Sequence, residues 1–456
     1  MALAHSEAAN PHWTRRPTIG ELAARLPGDR GWPVLGNTLK LLRDPAGFGR
    51  RMQARHGRVW WNNAFGNPTV VLVGPDANEL LLFDRDRLFS SEQGWGPILN
   101  LLFPRGLMLM DFEAHRVDRR ALSVAFKPEP MRRYAVELGD AMHRAVGDWP
   151  ERMRFYPAIK QLTLDLAASA FLGIPWGAEA DRINRAFVDM VQASVGVVRA
   201  PLPFTAMRRG VDGRRFLIDY FTPQIEERRR NLNRQDMFSQ FCRATREDGA
   251  PLAADEIIDH MNFLLMAAHD TITSSLTSLI WLLGREPEWQ ERLRDECLSA
   301  APAGEAPGPD SLAAMSMTEM AFKEALRIMP PVPSIPRRAL REFSFDGRVI
   351  PAGAPVAISP GSVHHDPAIW PDPDRFDPLR FTPEAVRTRH KYAWVPFGGG
   401  AHMCLGLHFA TMQTRLFIHA LLTRRRIVLP EGYAPDWQQW PIPKPRDGLP
   451  VELPRL

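Results

Sequence analysis

Prolines crowd the chain after Met329, at Pro330, Pro331, Pro333, Pro336, Pro351, Pro355, Pro360, Pro367, Pro371, Pro373 and Pro378, and no continuous helix can form before Cys404. An irregular stretch of this length is uncommon in a compact domain unless it is functional, so it must wrap something. The residues ahead of it differ in character. From Asp76 to about Arg327 the apolar spacing is mostly helical, with proline-rich joints at Lys127 to Pro130, Ile174-Pro175 and Ala200 to Pro203. From Leu26 to about Gly74 β-formers dominate, and Val59-Trp60-Trp61 and Thr69 to Val73 predict two strands around Gly66-Asn67-Pro68. The expectation is a mainly α protein with a smaller β-rich lobe, β-rich over about 26–75 and 330–400 and helical over about 76–329 and 404–424.

Composition narrows the setting. Hydrophobic residues at 45% and charged residues at 24% suffice for a large buried core. A net charge of +5 permits an acidic partner without pointing to nucleic acid. Cys242, Cys297 and Cys404 are too few and too scattered for a disulfide framework, which fits a reducing compartment, the cytoplasm. Residues 1–25 carry Arg15, Arg16, Glu21 and Arg25 without a long apolar run and are expected to be an extension lacking a membrane anchor.

The irregular stretch ends in Phe397-Gly398-Gly399-Gly400-Ala401-His402-Met403-Cys404-Leu405-Gly406, and Leu405 to Leu422 then read as one amphipathic helix. Three glycines let the backbone run close to a flat ligand with positive φ. Cys404 falls at a helix N-terminus, where free amides and the helix dipole favour the thiolate, the form that ligates metal. A lone cysteine is most often a buried structural residue, but the glycines argue for a ligand. Zinc takes four ligands and no second cysteine stands near, whereas heme iron accepts a single axial thiolate, so heme fits better.

Three further patterns stand upstream. Ile257, Met261, Leu264, Leu265, Ala268, Ile272, Leu276, Leu279 and Leu283 form one helical stripe, interrupted at Asp270 and Thr271, where a carboxylate and a hydroxyl are expensive to bury. Ser316-Met317-Thr318-Glu319 is a capping-box signature for a helix running to Met329, and Glu324 and Arg327 lie three apart on it. His115 and Arg119 lie one helical turn apart on the same side.

The cysteine segment resembles the heme-binding loop of the cytochrome P450 superfamily, with Phe397, Gly400, Cys404 and Gly406 at its fixed positions and Gly398 inside it. The resemblance covers about Leu26 to the C-terminus and implies a single catalytic domain, residues 26–456, with heme b buried between a long central helix and the cysteine-bearing helix. It makes Cys404 the axial metal ligand. It sets His115, Arg119, His402 and Arg337 on the heme propionates, with Arg338 adjacent to Arg337 and not separable from it. Ala267-Ala268-His269-Asp270-Thr271 resembles the family's oxygen-activating signature, with Ala268 where glycine is usual. Thr271 would hold bound oxygen and a water, and Asp270 would relay protons. Glu324-Ala325-Leu326-Arg327 resembles the E-x-x-R motif, and Trp370 to Phe376 resembles the segment whose arginine, here Arg375, completes a buried structural triad.

The implied activity is insertion of one atom of O2 into a lipophilic substrate, by hydroxylation or epoxidation. The chain holds no G-x-G-x-x-G fingerprint and no iron–sulfur cysteine set, so NAD(P)H would deliver electrons through a separate ferredoxin reductase and ferredoxin. Arg116, Arg120, Lys127, Arg132, Arg133, Arg389, Lys391 and Arg415 could steer the acidic ferredoxin. Trp95, Ile98, Leu99, Leu102 and Phe103 would roof the pocket, residues from Phe187 to Met207 would form a lid, and Leu264, Ala267, Ala268, Val332 and Ile335 would line it. The expected protein is of the soluble bacterial type and monomeric, with no transmembrane anchor. A heme-thiolate peroxygenase or isomerase, or a non-catalytic heme or lipophile-binding protein, are the rival readings.

Overall fold

The computed structural model describes residues 12–196 and 198–456. The helices that matter for the site are, in chain order, α1 (Pro75–Phe83), α2 (Glu92–Leu99), α3 (Phe112–Leu122), α4 (Pro128–Gly147), α5 (Phe155–Ala167), α6 (Ala178–Ser194), α7 (Ala206–Phe221), α8 (Ala254–Arg285), α9 (Ser316–Ile328) and α10 (Leu407–Leu422). One six-stranded sheet accompanies them, built from β1 (Gly28–Asp29), β2 (Val59–Ala64), β3 (Asn67–Leu72), β4 (Phe89–Ser90), β5 (Ile335–Ala339) and β6 (Pro355–Ile358), in the order β1-β2-β3-β6-β5-β4.

The β2–β3 hairpin forms where the sequence places two strands, pairing Val59 with Leu72. Its turn is Phe65-Gly66, both at positive φ, the conformation whose twist suits two antiparallel strands joined by two residues. β6 then pairs parallel to β3 and antiparallel to β5, so the proline-rich segment after α9 threads into the same sheet. The lobe boundaries differ from expectation. Residues 26–75 also contain the helices Thr38–Arg43 and Pro45–His56, the second capped by the Asp44 carboxylate on Gly47 N at 2.8 Å. Beyond Ile358 the chain turns through short helical pieces without entering the sheet, and β4 comes from outside the expected span.

α8 is the central element, 32 residues and about 48 Å long at about 1.5 Å per residue. It starts with the Glu256 carboxylate accepting Ala253 N–H at 2.9 Å and stops at Glu286, ahead of Pro287. Its second half buries hydroxyls that satisfy themselves on carbonyls one turn back: Thr273 on His269, Ser275 on Thr271, Thr277 on Thr273 and Ser278 on Ser274. The helical core collects α4, α5, α8 and α10 around residues such as Phe155, Leu276 and Leu416, and a second core lies under the sheet around Val70, Val356 and Ile358. Among the described residues no helix is long and apolar enough to cross a membrane.

The capping box expected at Ser316 does not form. Ser316 is already helical, and the Glu296 carboxylate instead accepts Met317 N–H at 2.6 Å and Thr318 N–H at 2.8 Å. Glu319 turns to Lys323 at 2.6 Å and to Arg415. A carboxylate from the earlier helix Pro287–Ala300 gives each of the two amides an oxygen of its own.

Candidate functional site

The cysteine loop closes on itself, with Cys404 N–H donating to Phe397 O at 2.9 Å. Gly398 and Gly400 take φ of +69° and +60°, and Gly399 is extended. A Cβ on Gly400 would lie 2.1 Å from the Leu82 carbonyl oxygen, so the approach of α1 demands that glycine. α10 begins at Leu407 with Gly406 as its N-cap, a little later than the sequence suggests. The Cys404 side chain is open, yet burial among the surrounding atoms pushes its thiol pKa up, against the pull of the Gly406 amide and the Arg119 guanidinium. Both facts describe a side chain facing an interior cleft.

α8 shows the same signature. Leu264, Ala268 and Thr271 are half-buried and Ala267 is exposed, in a helix whose neighbouring turns are buried. Helical geometry puts these four residues on one face. Thr271 bonds its hydroxyl to Ala267 O at 2.8 Å. Asp270 lies on the flank of that face, where Lys160 Nζ of α5 stands 3.5 Å from Oδ1 and His269 Nδ1 stands 3.2 Å from it. Burial works to raise the Asp270 pKa, but His269 and Lys160 outweigh it and hold the carboxyl well below the usual carboxylate range. Lys160 is a residue that no local pattern marks, because only the fold brings α5 alongside α8.

Four basic side chains meet nearby. The His115 and His402 rings are 3.9 Å apart by their centroids. Burial first, then Arg337, His115 and Arg119, push the His402 pKa down to about 2, and burial with Arg119 and Arg337 lowers His115 to about 4. Arg337 is buried, and its one side-chain hydrogen bond among the described residues goes to the neighbouring Pro336 O at 2.9 Å. The two carboxylates whose charges act on it are bonded elsewhere: Asp111 accepts Ser91 N–H at 2.7 Å, and Asp84 accepts Leu88 N–H at 2.6 Å. His115 Nε2 has no hydrogen-bond partner among the described residues. Arg338 points to the other face of β5 and bonds Thr14 O at 3.4 Å and Gly353 O at 3.3 Å, so Arg337 is the one that joins the cluster.

A buried guanidinium, a half-buried one at Arg119 and two imidazoles, none ion-paired within the described residues, form a donor set for carboxylates that those residues do not supply. Among the described residues no group of three or more His, Cys, Asp or Glu side chains could hold a metal ion, so a metal at Cys404 must arrive with its other ligands. A lone cysteine facing the cleft and an unmatched cationic cradle fit heme with its two propionates.

The buried charge cluster differs from expectation in one member. Glu324 and Arg327 are fully buried and bidentate, at 2.7 and 2.8 Å. Arg327 also donates to His364 O at 2.8 Å, and Glu324 accepts Asp377 N–H at 3.0 Å. Arg375 contributes only its carbonyl oxygen, 3.3 Å from Arg327 Nη2, while its side chain is exposed. The second guanidinium on Glu324 is that of Arg380, whose Nε lies 3.3 Å from Glu324 Oε1. Asp372, with φ of +49°, accepts Arg375 N–H at 3.0 Å on its carbonyl, and the same carbonyl accepts from Arg380 Nη2 at 3.0 Å.

The pocket residues divide. Trp95, Ile98, Leu264 and Val332 are half-buried and Ala267 open, as lining residues would be, but Leu99, Leu102, Phe103 and Ile335 are core. Phe187 is likewise core and packs edge-on against His269, while Leu202 and Phe204 project into solvent. Apolar composition alone cannot separate a roof from the core beneath it. Several of the surface cations are also engaged: Arg116 and Arg120 with Glu247, Arg132 with Asp310 at 2.7 Å, Arg415 with Glu319, and Arg389 over the Trp370 ring at 3.8 Å.

Comparison with known proteins gives a consistent result. The cytochrome P450 family model matches residues 26–446. Cytochrome P450 136 of Mycobacterium tuberculosis is 36% identical over 436 residues, 93% of this chain and 88% of that protein. Taxane 10-beta-hydroxylase of Taxus cuspidata is 28% identical over 449 residues, 94% of this chain and 89% of the relative. The solved structure of retinoic acid-bound cyanobacterial CYP120A1 superposes with a TM-score of 0.84 at 29% identity, covering 95% of this chain and 99% of that one.

Proposed function

The chain belongs to the cytochrome P450 family and is a heme-thiolate monooxygenase that uses O2, and from that premise we propose that Cys404 is its thiolate and that its substrate is a large lipophile. The observation that carries the assignment is the cluster of His115, Arg119, Arg337 and His402, not ion-paired with any carboxylate among the described residues, beside an open cysteine. When bound, the heme supplies an electron-rich iron that favours O–O cleavage.

The chain's own residues do the rest. Arg337 and Arg119 bind the propionates, and His115 and His402 complete the donor set. Ala267 and Ala268 leave the middle of α8 without bulk, so a flat ligand and a small gas molecule can lie against the helix. Thr271 donates its hydroxyl proton to Ala267 O, and the same hydroxyl, rotated off that carbonyl, would donate into the cleft. Asp270, kept ionised by Lys160 and His269, accepts a proton on its carboxylate and passes it toward Thr271. Trp95, Ile98, Leu264 and Val332 give the cleft an apolar lining. The retinoic acid bound to the cyanobacterial relative and the taxane on which the Taxus cuspidata enzyme acts are large lipophiles, which supports the same substrate class here. Electrons come from NAD(P)H through a separate ferredoxin and its reductase.

The test is reconstitution. With a surrogate ferredoxin and reductase, NADPH and a lipophile that shifts the iron spin state, the purified enzyme is expected to form oxygenated product, and Cys404→Ser to form none while losing the thiolate signature of the ferrous carbon monoxide complex. Product with hydrogen peroxide alone, and none with the electron-transfer chain, overturns the monooxygenase cycle proposed here.

A further inference from the structure

Asp118 sits on α3 between the two basic residues that this helix gives to the cluster. The buried stripe of α3 runs through His115, Asp118 and Leu122, so a carboxylate occupies the middle of a face that would ordinarily be apolar. Asp118 Oδ2 meets His260 Nε2 at 3.0 Å, and Oδ1 meets Arg246 Nη2 at 3.4 Å. The Asp118 and His260 side chains are 7% and 1% exposed. Arg246 Nη2 also donates to Glu256 Oε2 at 2.8 Å, the oxygen that accepts Ala253 N–H at the start of α8.

His260 stands on the same side of α8 as Leu264, Ala267 and Thr271, by the helical repeat. The network therefore ties the helix that presents His115 and Arg119 to the cleft-facing stripe of the helix that presents Thr271. Among the charges around His115, Asp118 is the one that works against the nearby cations. A second buried pair of similar make offers a contrast. Arg214 and Asp259 meet at 2.7 Å with side chains 24% and 10% exposed, but they join α8 to α7, with neither partner on α3.

We propose that Asp118, held by His260 and Arg246, is a positioning residue for heme: it fixes the rotation of α3 that aims His115 and Arg119. The inference rests on the reading that His115 and Arg119 bind the heme carboxylates. A partner that orients a cofactor ligand is usually felt in affinity and in potential, where a simple packing contact is felt only in stability.

The experiment compares Asp118→Asn, Asp118→Glu, His260→Gln and Asp259→Asn as heme-loaded enzymes, measuring heme transfer to apomyoglobin, reduction potential and melting temperature. Asp118→Asn is expected to release heme about 10–100-fold faster and to raise the potential, because a negative charge beside the cluster is gone. Asp118→Glu should recover most of the potential, and Asp259→Asn should lower the melting temperature while leaving transfer rate and potential alone. The proposal is overturned if Asp118→Asn melts early yet keeps the wild-type transfer rate and potential. Should Asp118→Asn fail to fold, His260→Gln decides: faster heme transfer supports the proposal, and a wild-type rate sinks it. A wild-type protein without a thiolate carbon monoxide spectrum would instead remove the reading beneath it, whatever the variants do.

Discussion

Arg327 and Arg337 are both buried, ten residues apart in the chain, and meet opposite electrostatic surroundings. Arg327 has a bidentate carboxylate, the His364 and Arg375 carbonyls, and the Trp370 ring 5.2 Å away. Among the described residues Arg337 bonds one carbonyl and no carboxylate, and burial lowers its pKa to about 10. A charge taken out of water costs several kcal/mol unless it is matched, so the first cluster is complete within the chain and the second is completed by what the chain binds. The difference separates a structural lock from a ligand cradle.

The comparison is most exposed at Glu324. Removing it as Glu324→Ala leaves Arg327 and Arg380 facing each other without their shared anion, at an expected loss of about 3–5 kcal/mol. Chemical denaturation measures this, and a variant as stable as wild type would break the contrast outright. Arg337→Met should behave in the other direction. Here the heme-free chain is expected to be at least as stable as wild type, because an unmatched cation leaves the interior, while the loaded enzyme releases heme about 10–100-fold faster. Urea unfolding of the heme-free chain and heme transfer to apomyoglobin report the two effects separately. Arg337→Met losing stability without heme would mean that the chain itself neutralises that residue.

Acid carries the comparison further. His115 titrates near 4 in the cradle, against about 6.5 for an ordinary histidine, because burial, Arg119 and Arg337 all oppose its protonation. A base with a folded pKa below its unfolded one binds fewer protons when folded, so its contribution is whole above about pH 6.5 and fades as pH falls toward about 4. The heme-free chain is therefore expected to lose stability across that interval, and His115→Asn to lose less. With propionates beside it, the imidazole gains an anion and the heme-loaded enzyme should show a flatter slope. Thermal melts at several pH values decide, and identical slopes with and without heme would contradict the cradle.

What the sequence could show of this depends on how local each signal is. The loop from Phe397 to Gly406 and the stripe along α8 are contiguous, so their chemistry was legible before any coordinates. The choice between Arg337 and Arg338 was not, because it turns on which face of β5 looks toward His402. Ser316 is a good local cap that loses to Glu296, a carboxylate delivered by tertiary packing. Leu102 and Phe103 are as apolar as any pocket lining, and only their burial in the helical core assigns them there. Asp118 and Lys160 carried no pattern at all, since their partners lie far along the chain.

The smallest expected effect is the most discriminating for the lock itself. Arg375 holds the motif position, yet its guanidinium is exposed and only its carbonyl is used, a contact that alanine keeps. Arg375→Ala should therefore change stability by less than about 0.5 kcal/mol, as surface substitutions do. Arg380, a few residues on, places Nε 3.3 Å from Glu324 Oε1 and donates to Asp372 O at 3.0 Å. Its truncation to alanine is expected to cost about 1–3 kcal/mol by leaving the buried carboxylate with one guanidinium fewer. Denaturant midpoints for the two variants, measured side by side, settle which arginine completes the cluster, and a larger loss at Arg375 would return the role to the motif residue.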